Sequence, residues 1–237
     1  MAEKNLAFRH LTKEHYDQLA PSYIELRQPY GAQRRRDTIF DLCRLLEIGY
    51  LLDAGAADGM MSGRLADLGW SVTAVDISAR LLKLPLERSF SQVVADVETM
   101  PLRDSIFDLV VCTEVFEHLA DYRRAVQEIS RIMKSGGHAV VSVPNPLWEP
   151  FFRIADKLKM KVPETTTHKI TQSQVVAAMR QSGFITLEQK GVILWPFSRP
   201  HLVQKFSLKI ESMFPGLCAT LISMHIKRSG DVNFSGE

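Results

Sequence analysis

Short apolar runs alternate with longer amphipathic stretches through the first two thirds of the chain. Leu51-Leu52, Val72 to Val75, Gln92 to Ala95, Phe107 to Cys112 and His138 to Val143 each have the length of one strand. Phe107 to Cys112 (F-D-L-V-V-C) is nearly continuous in apolar character, as strands buried on both faces of a parallel sheet are. Helical periods lie between these runs. Ile39, Leu42, Cys43, Leu45 and Leu46 recur at helical spacing and stop at Gly49, and Met60 to Leu68 forms a helix closed by Gly69. Asp121 caps a further helix with Tyr122, Ala125, Val126, Ile129, Ile132 and Met133 on one face, and the Gly136-Gly137 pair is expected to end it. Strand, helix, strand at intervals of about twenty residues predicts an α/β fold, a parallel sheet with helices on both faces.

The two ends of the chain are less regular. Residues 10–30 carry Tyr16, Tyr23 and Tyr30; helical turns over Leu19 to Leu26 are expected to break at Pro21, and the segment is either a lid or an edge packed on the domain. Arg34, Arg35 and Arg36 read as a solvated helix start. Thr171 and Gln174 form a capping box for a helix through Met179, ended by Gly183. Strands are expected at about 185–194 and 218–226, with a Phe/Leu-rich helical stretch near 201–214 between them. The expected organisation is a single domain over 1–237. An N-terminal lid segment covers about 1–36, and substrate-cover insertions cover about 147–168 and 197–216.

Composition narrows the class. The chain is 46% hydrophobic and 24% charged, as soluble globular proteins are, and its net charge of +2 gives no pull toward nucleic acid. Cys43, Cys112 and Cys218 lie apart inside apolar patterns, reading as buried free thiols of a reducing, cytoplasmic setting. No apolar run approaches the roughly 18 residues of a membrane span.

The chemistry gathers at L-L-D-A-G-A-A-D-G (51–59), where Asp53 opens a turn bracketed by Gly55 and Gly59. Glycine tolerates positive φ there and lets a ligand approach the backbone, while the helix start beyond offers free N–H groups. Asp53, Asp76 and Asp96 stand at successive strand ends, 23 and 20 residues apart, where an open parallel sheet binds ligands. One such aspartate would read as a helix cap; three in register favour a nucleotide-type crevice. Asp76 suits a ribose diol, Asp96 an exocyclic amine, and Ile77 a purine face. The order Gly55, Ala57, Gly59 departs from the dinucleotide fingerprint and disfavours NAD.

These blocks, with V-T-A-V-D-I-S (72–78), A-D-V-E-T-M-P-L (95–102), F-D-L-V-V-C-T-E-V-F-E-H-L (107–119) and K-S-G-G-H-A-V-V-S-V-P-N (134–145), resemble the class I S-adenosylmethionine-dependent methyltransferases over roughly residues 15–228. The nearest pattern is that of the ubiquinone-biosynthesis type O-methyltransferases. The resemblance implies a Rossmann-like, seven-stranded, mostly parallel sheet whose last strand is antiparallel. It implies that Asp53, Gly55 and Gly59 hold the methionine part of S-adenosylmethionine, Asp76 the ribose, and Asp96 with Val97 the adenine, with Thr113 beside the methionine amino group. Ala57 stands where many members have glycine.

Glu114, Glu117 and His118 follow the fourth strand at i, i+3 and i+4, so one helical turn would put them on one face. With His168 they could hold Mg²⁺ or another divalent cation, as the ubiquinone-type and small-RNA 2′-O-methyltransferases are understood to do; or they cap the turn and act as bases. His118 is the first candidate base, His168 the second, and Glu114 joins them as a candidate catalytic group. The aromatic and basic stretch Leu147 to Val162 suits an apolar acceptor, shallow contact with a membrane surface, or a lid helix packed on the domain. The expected activity is methyl transfer to a small organic acceptor, at a hydroxyl oxygen, with no oligomeric state implied. The rivals are RNA 2′-O-methylation and a non-catalytic cofactor-binding regulator.

Overall fold

Alternate residues of the apolar runs face opposite ways, and helices cover both sides. The computed structural model describes residues 2–26, 30–84, 90–157, 168–192, 208–209, 211 and 213–229. Its strands are β1 (Tyr50–Ala54), β2 (Ser71–Asp76), β3 (Ser91–Val94), β4 (Phe107–Thr113), β5 (Met133–Pro144), β6 (Phe184–Val192) and β7 (Thr220–Lys227). They form one seven-stranded sheet in the order β3-β2-β1-β4-β5-β7-β6. The neighbours from β3 to β5 pair in parallel, and β7 runs antiparallel to both β5 and β6. The helices are α1 (Ala2–Leu26), α2 (Tyr30–Cys43), α3 (Met60–Asp67), α4 (Ala79–Leu82), α5 (Tyr122–Ile132), α6 (Glu149–Lys157) and α7 (Gln172–Gln181).

The period of two along each strand sorts the core into two layers. Leu52, Val110, Cys112, Ala139 and Val141 pack with Val126 and Ile129 of α5 and Val175 and Met179 of α7. Leu51, Leu109, Val111 and Val140 face the other way, onto Ile39 and Leu42 of α2 and Met61 and Leu65 of α3. All three cysteines are buried free thiols.

Three expectations are corrected. The Gly136-Gly137 pair does not end a helix: α5 stops at Ile132, Met133 is already extended, and both glycines lie within β5. There the pairing with β4 shifts between Phe107 and Leu109, and a Cβ on Gly137 would stand 3.1 Å from the Asp108 carbonyl oxygen. A bulge and a close strand approach use glycine as readily as a C-cap does. Pro21 does not interrupt α1, which runs through it. The Asp17 carbonyl, which Pro21 has no N–H to satisfy, lies 3.4 Å from Arg80 Nη1. Arg34 and Arg35 are not a solvated helix start but half-buried ion-pair partners inside α2, reaching Glu211 and Glu114. The Phe/Leu-rich stretch near 201–214 and the cover insertion at 197–216 fall largely outside the described residues, as do residues 158–167 of the other cover insertion. Within them, α6 exposes Phe151 and Ile154, and Leu147, Met213, Phe214 and Leu217 are exposed nearby in the chain's fold, the Trp148 indole donating to the Leu217 carbonyl at 2.9 Å. Among the described residues no helix is long and apolar enough to cross a membrane.

Candidate active site at the carboxyl edge of the sheet

Parallel register brings the acidic strand ends to one edge. Asp53 lies level with Ala74 of β2 and Val111 of β4, Asp76 closes β2 level with Val94, and Asp96 follows β3 by two residues. Asp53 is buried and accepts from Ser62 Oγ at 2.6 Å. Burial pushes its carboxyl up to about 6, against the stabilising Ser62 bond. Asp76 accepts from Ala57 N at one oxygen and Ser78 N at the other, each at 2.8 Å, and burial likewise raises it to about 6. Asp96 accepts from Glu98 N at 2.8 Å, and its burial also raises its pKa. Val97 beside it is buried, and Ile77 is half-buried.

The turn after β1 is built from left-handed residues: Gly55 at φ 77°, Ala57 at φ 50° and Gly59 at φ 74°. A Cβ on Gly55 would stand 2.2 Å from Val115 Cγ2, so the turn is closed against the chain beyond β4. Gly59 opens α3, whose N-terminal N–H groups face this turn. Buried carboxylates, a left-handed turn and a helix start thus meet at one sheet edge, where an open parallel sheet takes its ligand.

Beyond β4 the chain departs from the expected helical turn. Thr113 is half-buried, Glu114 adopts φ 55°, and the short 3-10 turn covers Phe116–His118 only. Glu114, Glu117 and His118 therefore do not share a helical face. Arg35 Nη1 lies 3.1 Å from Glu114 Oε2, and Ser142 Oγ donates to Glu114 Oε1 at 3.2 Å. Glu117 is buried, while His168 is exposed, its ring stacks on Phe8 at 4.8 Å between ring centroids, and its backbone N–H donates to the Glu117 carbonyl. His118 Nε2 lies 3.2 Å from the Tyr16 hydroxyl, the two rings edge to face. Among the described residues no three His, Cys, Asp or Glu side chains are grouped to hold an ion. The expected helical face for a divalent cation is therefore not formed among the described residues.

Helix α1, within the segment expected as a lid or a packed edge, lies against this edge through residues with no role assigned from the sequence. Arg9 of α1 pairs with Asp96, its Nε 3.0 Å from Oδ2, and its guanidinium also bonds the fully buried Glu98. Asp17 accepts from Ser78 Oγ at 2.6 Å. Tyr16 was singled out only as one of several tyrosines; the eight-residue step from Arg9 to Asp17, close to two helical turns, is the signal that would have put both on one face.

Comparisons with known proteins find methyltransferases among the chain's relatives. A methyltransferase domain family matches residues 52–141. An uncharacterized methyltransferase of Mycobacterium tuberculosis is 26% identical over 201 residues, 81% of this chain and 90% of its own length. A malonyl-[acyl-carrier protein] O-methyltransferase of Geobacter sulfurreducens is 32% identical over 155 residues, 60% of this chain and 58% of its own. A ubiquinone biosynthesis O-methyltransferase of Alkalilimnicola ehrlichii is 27% identical, covering 65% of this chain and 68% of its own length. In fold, the chain is similar to a Thermotoga maritima S-adenosylmethionine-dependent methyltransferase described as a possible histamine N-methyltransferase, with a TM-score of 0.65 at 18% identity over 92% of this chain and all of the other.

Proposed function

We propose that this chain, a class I S-adenosylmethionine-dependent methyltransferase by its fold, domain match and relatives, methylates a hydroxyl oxygen of a small organic acceptor with His118 as general base. The observation that carries the hydroxyl assignment is Tyr16. Its phenolic oxygen stands 3.2 Å from His118 Nε2, the distance at which an acceptor hydroxyl would have to sit to give up its proton. Bound S-adenosylmethionine supplies an electrophilic methyl on a sulfonium. In our reading Asp76 accepts from the ribose hydroxyls, Asp96 from the adenine amine, and the Gly55–Gly59 turn takes the methionine end with Asp53 behind it. Thr113 lies beside the methionine amino group. His118 takes the acceptor proton as its oxygen bonds the methyl, so the positive charge that leaves the sulfonium ends on the imidazolium. The exposed apolar residues Leu147, Phe151 and Ile154 favour an acceptor with an apolar body, and leave room for shallow contact with a membrane that carries one.

The test is binding followed by turnover. S-adenosylhomocysteine should bind the wild type, and Asp76→Ala should weaken it about tenfold or more. Methyl transfer to phenols, catechols or hydroxyquinones should fall about 10²–10⁴-fold in His118→Ala with cofactor affinity kept. A rate unchanged in His118→Ala would remove the base and with it the hydroxyl reading. A second reading, a carboxylate acceptor that needs no base, is favoured by the Arg35 guanidinium beside Glu114 and by the acyl-carrier relative. Turnover of carboxylic acids independent of His118 would select it.

A further inference from the structure

Helix α1 docks in an unusual way for a 25-residue helix. The residues it turns inward include the polar Arg9, Thr12, Tyr16 and Asp17; Ala20 is buried, Phe8, Leu19, Tyr23 and Ile24 are half-buried, and Leu6 and Leu11 are exposed. A helix that packs only to stabilise a fold buries an apolar stripe; this one adds to its partly buried apolar residues a set of ion pairs and hydrogen bonds. Its partners, moreover, are not arbitrary surface groups. Arg9 meets Asp96 and Glu98, Asp17 meets Ser78 next to the ribose-side Asp76, Tyr16 meets His118, and Phe8 lies on His168. Each contact falls on, or within two residues of, a group assigned above to cofactor or acceptor.

We propose that docked α1 is an internal occupant of the site, an autoinhibitory helix in which Arg9 stands in for the adenine amine on Asp96 and Tyr16 for the acceptor hydroxyl on His118. The inference rests on the assignment of Asp96 to the adenine and of His118 to the acceptor. The competition at Asp96 follows from its occupancy. One carboxylate oxygen accepts from Glu98 N and the other faces the Arg9 guanidinium. A neutral amine arriving at that carboxylate meets a charged donor already there, and charge-assisted contacts are the stronger kind. The Arg9–Asp96 contact is also poorly made: Arg9 Nε is buried and lacks the alignment of a hydrogen bond despite its 3.0 Å distance. The helix is therefore held strongly enough to compete and weakly enough to be displaced. Cofactor entry expels Arg9, and with α1 released Tyr16 leaves His118, so filling the adenine site uncovers the base.

The experiment is calorimetric titration of S-adenosylhomocysteine into the full chain, wild type, Arg9→Met and Arg9→Lys, at low and high salt. Arg9→Met should bind about three- to tenfold more tightly than wild type at low salt, and Arg9→Lys should stay near wild type. Raising the salt should tighten wild-type binding by a smaller factor than Arg9→Met does, because the half-buried pair is screened only in part and the zwitterionic ligand carries no net charge. The salt series on the wild type alone decides the matter if Arg9→Met does not fold. Equal or weaker binding by Arg9→Met, or a wild-type affinity that falls with salt, would overturn the latch while leaving the cofactor assignment standing. No binding by either protein would overturn that assignment, and the latch with it.

Discussion

Ala57 sits at φ 50°, in the turn where Gly55 and Gly59 hold φ 77° and 74°. An L-residue in the left-handed region costs about 1–2 kcal/mol, whereas glycine there costs about 0.5–1 kcal/mol through its looser unfolded chain. Ala57→Gly should therefore leave stability unchanged or raise it by up to about 1 kcal/mol, seen as an equal or higher urea midpoint. Gly55→Ala, two residues away in the same turn, should do the opposite. It adds the left-handed penalty and drives a methyl onto Val115, so a loss of about 2–3 kcal/mol is expected in the same titration. The buried carboxylates give a further residue-scale prediction. Asp53 is raised to about 6 when folded, so the folded state holds its proton more tightly than the unfolded chain. The contribution of Asp53 to stability is then fully present below about pH 4 and is lost as pH rises through about 6. Relative to Asp53→Asn, the wild type should lose about 2–3 kcal/mol between those limits in urea unfolding; parallel pH curves for the two proteins would contradict the assignment. These three residues were legible in the sequence because strand ends and glycine spacing mark them locally. Arg9, Glu98 and Arg35 were not, since what makes them matter is a partner 79 to 89 residues away, or, for Glu98, a helix arriving from the other end of the chain.

Helix limits show where local chemistry decides and where it leaves two answers. At the start of α7 the Thr171 hydroxyl accepts from Gln174 N while the Gln174 side chain accepts from Thr171 N at 2.9 Å. That exchange is written into residues three apart and needs nothing else, so the sequence predicts it. The helix it opens carries Val175, Ala178 and Met179 into the core under β4 and β5. Thr171→Ala should cost about 1 kcal/mol and lower the melting temperature without changing cofactor affinity, since α7 lies on the far layer from the Gly55–Gly59 turn. A change in S-adenosylhomocysteine affinity would show instead that α7 is coupled to the crevice. Gly136-Gly137 had two local solutions, a C-cap or a bulge, and only the β4 register selected the second. The expected metal face failed at the same scale. Spacing of i, i+3 and i+4 shares a face on a regular helix, and Glu114 at φ 55° removes it from the 3-10 turn that holds Glu117 and His118. Spacing constrains side chains only after the backbone between them is known.

Across the whole molecule the apolar core and the polar attachment of α1 divide stability unequally. β1, β4 and β5 lie inside the sheet with partners on both sides, and their residues supply both core layers. Their amides should exchange only on global unfolding, as the most protected set. Helix α1 is as regular as any element, yet its inward face contributes ion pairs and hydrogen bonds where α5 contributes Ala125, Val126, Ile129 and Ile132. Ala20 is buried and Phe8, Leu19, Tyr23 and Ile24 only half-buried, so less apolar surface is exposed when this helix lifts than when α5 does, and its opening free energy should lie below the global value. Native-state hydrogen exchange should find α1 amides opening well below the free energy of β4 and β5. Salt should lower the α1 value and leave the strands unmoved, because only the former rests on screened charges. Amides of α1 that exchange together with β4 would mean that the helix is part of the cooperative core. A helix so bound could not leave the cofactor crevice without unfolding the sheet beneath it.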